Sequence, residues 1–171
     1  MKNILVTLFS VLCISVYAQD LPTNPANGYA FPIGSKFTIK LFPVDSVNFD
    51  YSVVKYDLFQ ETVDIVENNF LFPEQGEENT ISFYFCLGTQ GKSAEERKKN
   101  TKILLLTKNY SRHILEYSSH IQLKRNSGFE ETSNVGLYPW AKATEMWSHM
   151  IYNIGLKEFR IRDPKAEAQE L

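Results

Sequence analysis

The sequence predicts a mainly β fold: an antiparallel β-sandwich, or a small open barrel, of about seven strands with one C-terminal amphipathic helix packed on it. Three observations carry that prediction. Several stretches alternate apolar and polar residues with the period of two expected of a half-buried strand. Clusters of Pro, Gly, Asn and Ser separate them, and only one stretch, near the C-terminus, has a sustained helical period.

Ahead of the strands stands a different kind of segment. Met1-Lys2-Asn3 precedes an apolar run from Ile4 to Tyr17, and Val16-Tyr17-Ala18 ends it just before Gln19-Asp20. A basic start, a short greasy stretch and a small residue at the cut describe a secretory signal peptide over residues 1–18. A spanning helix needs roughly 20 apolar residues, so the expectation is cleavage and no stable membrane anchor. Val11-Leu12 before Cys13 do not make a lipid-attachment signal. With Cys13 removed, Cys86 is alone, so the exported domain has to stand without an internal disulfide. Export without disulfides points to a secreted or periplasmic protein of a Gram-negative envelope.

Residues 19–34 hold three prolines and two glycines and read as an extended leader. A single β-rich domain then occupies residues 35–162. Phe37, Ile39 and Leu41 alternate with Lys36, Thr38 and Lys40 until Pro43 ends the first strand. Residues 49–59 form a second, in which Tyr51 and Val53 share one face and Val54, Tyr56 and Leu58 the other, so the Val53-Val54 pair marks a bulge or burial on both faces. Shorter candidates follow at 62–66 and 69–72, and 73–78 is a loop. Over residues 80–87, Ile81, Phe83, Phe85 and Leu87 face one way and Ser82, Tyr84 and Cys86 the other. Cys86 is therefore expected to be an inert strand thiol.

Ser93 and Glu96 are spaced as a capping box for one helical turn. The continuous apolar run at 103–106 suits a central strand, and residues 101–124 read as a β-hairpin whose turn uses Asn109 and Ser111. Residues 125–135 read as a loop. Ala143, Met146, Trp147, Met150, Ile151 and Ile154 fall on one helical stripe, with Pro139 suited to the first turn and Gly155 to the position just past the end. A last strand covers 157–162, and residues 163–171 form a polar tail.

The chain's formal charge of −2, with no basic stripe, argues against nucleic acid as a partner. No metal or cofactor motif occurs, so no cofactor is expected. His113 and His120, seven apart, point oppositely in a regular strand and cannot share a metal there. On the predicted helix, Glu145 and His149 form a surface pair, whereas the adjacent Ser148 and His149 cannot face each other for proton transfer. Aromatic residues make up 13 % of the chain, and those outside the strand pattern near the helix, Tyr138, Trp140 and Tyr152 together with His149, are the candidate ligand-binding residues. Three functions follow from this inventory. The first is a non-catalytic envelope protein that binds a protein or glycan partner. The second is a carrier of a small apolar ligand in an aromatic cavity, and the third is a hydrolase whose site converges from separate strands.

Overall fold

A computed structural model describes residues 22–162. The predicted signal peptide at 1–18 and the polar tail at 163–171 lie outside the described residues. The described residues are 52 % strand and 6 % helix, and their ten strands are β1 (Gly28–Pro32), β2 (Ser35–Pro43), β3 (Asn48–Leu58), β4 (Thr62–Asp64), β5 (Thr80–Thr89), β6 (Lys102–Asn109), β7 (Leu115–Gln122), β8 (Glu130–Thr132), β9 (Lys142–Trp147) and β10 (Asn153–Ile161). They form one sheet in the order β8-β7-β10-β3-β2-β5-β6-β9, with β1 added beside β10 and β4 beside β5. Every pairing is antiparallel except that of β4 with β5. The sheet curls into an open half-barrel, so of the two predicted architectures the open barrel is the one that forms, as a single continuous sheet rather than a two-sheet sandwich.

The curl has local causes. Thr38 pairs with Lys55 but Ile39 pairs with Val53, so Val54 is an extra residue, and of the two readings of the Val53-Val54 pair the bulge is the one that forms. A second irregularity falls between Lys157 and Arg160 on β10. Bulges increase twist and bend a strand, which is what a sheet needs in order to close on itself.

The C-terminal helix does not form. Its stripe is divided between β9, a turn and β10, and Met146 and Met150, assigned to its buried face, are about half exposed. In the strand, Ala143, Glu145 and Trp147 share the inner face, and the carboxylate among them hides the alternation. The one α-helix among the described residues, α1 (Ala94–Lys99), is short. It begins with the predicted capping box: the Glu96 N–H donates to Ser93 Oγ at 3.2 Å, and the Ser93 N–H donates back to Glu96 Oε2. No helix among the described residues is long and apolar enough to cross a membrane.

The predicted hairpin at 101–124 is also corrected, because β6 pairs with β5 and β9 whereas β7 pairs with β10 and β8. Its turn residues act as expected in a different connection. Asn109 Oδ1 accepts from the Ser111 N–H at 2.8 Å, while its amide nitrogen donates to the carbonyls of His113, Leu137 and Tyr138. Those bonds make a corner that sends the chain to the far side of the sheet. The expected seven strands become ten because β1, β8 and β9 lie in stretches read as leader, loop and helix; the candidate strand at 69–72 is instead a 3-10 turn, Asn69–Leu71.

Residues on the concave face fill the main core. Phe37 stacks on Phe31 and Phe83 with ring centroids 3.6 and 4.9 Å apart, and Phe159 packs between Tyr51 and Tyr117. A smaller core lies on the other face, where Tyr84, Cys86, Leu104 and Leu106 are covered by Val63 and Phe72. This is why 103–106 is apolar without alternation. Tyr51 secures β1: its buried hydroxyl accepts from the Tyr29 N–H at 2.8 Å and donates to the Leu156 carbonyl at 2.6 Å.

Candidate functional site

The outer face of β7, β10 and β1 carries a hollow of about 560 Å³ with a mainly apolar lining. Register creates it. Ile121, Ile154, Leu156 and Phe31 point into the core, so their neighbours His120, Gly155 and Ala30 lie on the outside. Those three are aligned across the strands, Ala30 opposite Gly155 and Gly155 opposite His120. Two successive positions with almost no side chain leave a flat dent, and Phe129, just before β8, closes one side. Its Cε1 lies 3.7 Å from where a Gly155 Cβ would be, and 44 % of the residue remains exposed. Gly28 brings β1 close to β10, since a Cβ there would sit 2.6 Å from the Cβ of Lys157.

The rim is polar and shaped by the β10 bulge. Glu158 takes a left-handed backbone conformation, φ 59°, which costs a non-glycine residue free energy and clusters at functional positions. Two bonds hold it there, from its N–H to the Asn27 carbonyl at 3.1 Å and to Asn27 Oδ1 at 2.8 Å. The extra residue puts both Lys157 and Glu158 on the rim and returns Phe159 to the core. Ser118 Oγ donates to Glu158 Oε2 at 2.8 Å, and Lys157 Nζ lies 3.1 Å from Oε1. The Ser118 bond first, and then Lys157, hold the Glu158 carboxyl below its usual range, with His120 adding a smaller attraction. His120 Nδ1 is buried without a hydrogen-bond partner.

The candidate ligand residues read from the sequence are not brought together. Tyr138 and Trp140 precede β9, whereas His149 and Tyr152 follow it, so a six-residue strand separates the two pairs. Trp140 packs edge-on against Tyr110 at 6.3 Å, and Tyr152 lies under the Arg125 guanidinium at 5.6 Å. His149 sits in the exposed turn beside a hollow of only about 120 Å³. The expected surface pair of Glu145 with His149 does not exist, because without a helix Glu145 turns into the barrel. His113 precedes β7 and packs near Phe49, 5.9 Å between ring centroids. Among the described residues no cluster of His, Cys, Asp or Glu could hold a metal ion.

Glu145 marks a second unusual place, the seam where the ends of the sheet meet without a backbone ladder. Tyr117 on β7 donates its hydroxyl to Glu145 Oε1 on β9, and Trp147 Nε1 reaches Thr132 Oγ1 on β8 at 3.3 Å. Both members of the first pair are buried, and Glu145 Oε2 makes no close hydrogen bond. Burial pushes the Glu145 carboxyl up to about 7, against smaller opposing effects of the Tyr117 bond and the Val135 N–H. Burial and the neighbouring carboxylate push the Tyr117 phenol well above its ordinary value. The pair joins the strands.

A larger hollow, about 700 Å³, lies beside α1, but its polar walls satisfy one another. Glu96 takes the Lys92 N–H, Arg97 Nε donates to the Gly91 carbonyl, and the Asn100 amide donates to the Gln90 carbonyl. The β7–β10–β1 hollow is the better candidate because it joins a bare apolar floor to a strained, charged rim. Its residues were not identified from sequence as a site. The available signal was Gly155 between Ile154 and Leu156, since a glycine inside a strand often marks a close approach by a ligand or another backbone. No protein-family model, no curated protein and no solved structure matches the chain.

Proposed function

We propose that this chain is an exported, non-catalytic binding protein of the bacterial envelope, and that the outer hollow of β7, β10 and β1 is its ligand face. The observation that carries this reading is the aligned row of His120, Gly155 and Ala30 beneath the half-exposed Phe129. Its volume falls in the range of small-molecule sites, about 300–1,000 Å³. The apolar sequence at 4–17 supports export.

Other features disfavour the alternatives. An internal carrier needs room inside the barrel, where Phe31, Phe37, Phe83 and Phe159 pack instead. A serine hydrolase needs a serine bonded to its base, yet Ser118 gives its hydrogen bond to Glu158 rather than to His120. The test is a binding screen of the purified protein and its Gly155→Leu variant against soluble glycans, peptides and small apolar rings. An added Cβ at Gly155 meets nothing nearer than 3.7 Å, so the variant should fold while filling the dent. A ligand that binds the parent and is lost in the variant supports the proposal; ligands bound equally by both refute it.

A further inference from the structure

Resting on that assignment of the hollow, we infer that its ligand is a neutral saccharide, with one sugar ring lying flat on the Gly155–Ala30 floor. Strands in a sheet are about 4.8 Å apart, so the row from His120 to Ala30 spans about 10 Å, enough for one six-membered ring. The floor offers backbone and one methyl group, a surface suited to the C–H face of a pyranose. Phe129 stands beside it with ring surface exposed to water, where contact with an apolar face is favourable.

The rim argues against the other ligand classes. Lys157 and Glu158 are 3.1 Å apart and cancel, so neither an anion nor a cation gains from the net charge. A wholly apolar ring would strip water from an ammonium and a carboxylate without replacing their hydrogen bonds, an unfavourable exchange. A hydroxyl both donates and accepts, so neighbouring sugar hydroxyls can give a hydrogen bond to Glu158 and take one from Lys157. The strain at Glu158 is consistent with a carboxylate placed for a purpose other than stability.

Calorimetric titration of the protein with neutral oligosaccharides of glucose, mannose, galactose and N-acetylglucosamine tests the inference, with oligogalacturonate and 1-naphthol as the charged and apolar comparisons. At least one neutral oligosaccharide should bind, and Phe129→Ala and Glu158→Gln should each weaken it tenfold or more while circular dichroism stays unchanged. Oligogalacturonate and naphthol should bind more weakly. Absence of binding by every neutral sugar, or sugar binding indifferent to both variants, overturns the inference. If naphthol binds the parent and is lost on Gly155→Leu while no sugar binds, the saccharide assignment fails but the hollow stands as the ligand face. If a sugar binds and survives Gly155→Leu, the hollow itself is wrong.

Discussion

The Tyr117–Glu145 pair predicts a stability that falls as pH rises through the neutral range. Below pH 4.5 the Glu145 carboxyl is protonated in both folded and unfolded chains and contributes no slope. Between 4.5 and about 7 the folded protein keeps a proton that the unfolded chain releases, so raising the pH favours unfolding. At 1.36 kcal/mol for each factor of ten in proton affinity, the interval from 4.5 to about 7 amounts to a loss of about 3 kcal/mol, complete just above neutrality. Asp45, Asp64, Glu77 and Glu158 are held below their ordinary values, so their contribution has the opposite sign and falls at lower pH. Glu145→Gln keeps an acceptor for Tyr117 but cannot ionise. Urea unfolding of parent and variant from pH 4 to 9 should give curves whose difference changes by about 3 kcal/mol in favour of the variant between pH 5 and 8. Parallel curves would refute the placement of this carboxyl in the seam.

Three further outcomes follow from the packing. Cys86 is buried in the smaller core and burial raises its thiol to about 12, so it should resist a disulfide reagent at pH 8 and react once guanidinium unfolds the chain. Tyr51→Phe leaves the Tyr29 N–H and the Leu156 carbonyl without their partner, at a cost of about 1–3 kcal/mol for each group left buried and unpaired, measurable by chemical denaturation. Gly88→Ala places a Cβ 2.2 Å from Leu104 Cδ1, and overpacking of that kind costs about 1–3 kcal/mol; its melting temperature should fall, whereas that of Gly155→Ala should not.

Those elements whose two faces differ were legible in the sequence. Phe37, Ile39 and Leu41 alternate cleanly because β2 is buried on one face, and the Val53-Val54 parity shift announced the bulge that helps curl the sheet. The Ser93–Glu96 box was legible because capping is local. Alternation failed where a polar residue belongs inside: Glu145 interrupts the pattern of β9, and the exposed Met146 and Met150 completed a false helical stripe. The 101–124 hairpin was misread because Asn109 and Ser111 have the chemistry of a turn, and nothing local says that the next strand pairs elsewhere. The hollow was harder still to read. It arises from missing side chains at Gly155 and Ala30, from the alignment of three strands distant in sequence, and from a bulge at Glu158 that no residue type advertises.

The most direct test of the ligand face is a titration followed by two-dimensional ¹H–¹⁵N spectra of the protein with the tightest neutral oligosaccharide. Shifts should concentrate at the amides of His120, Phe129, Gly155, Lys157 and Glu158, with little change at Tyr138, Trp140 and His149. Shifts centred on those last three residues, with the β10 amides unmoved, would contradict it.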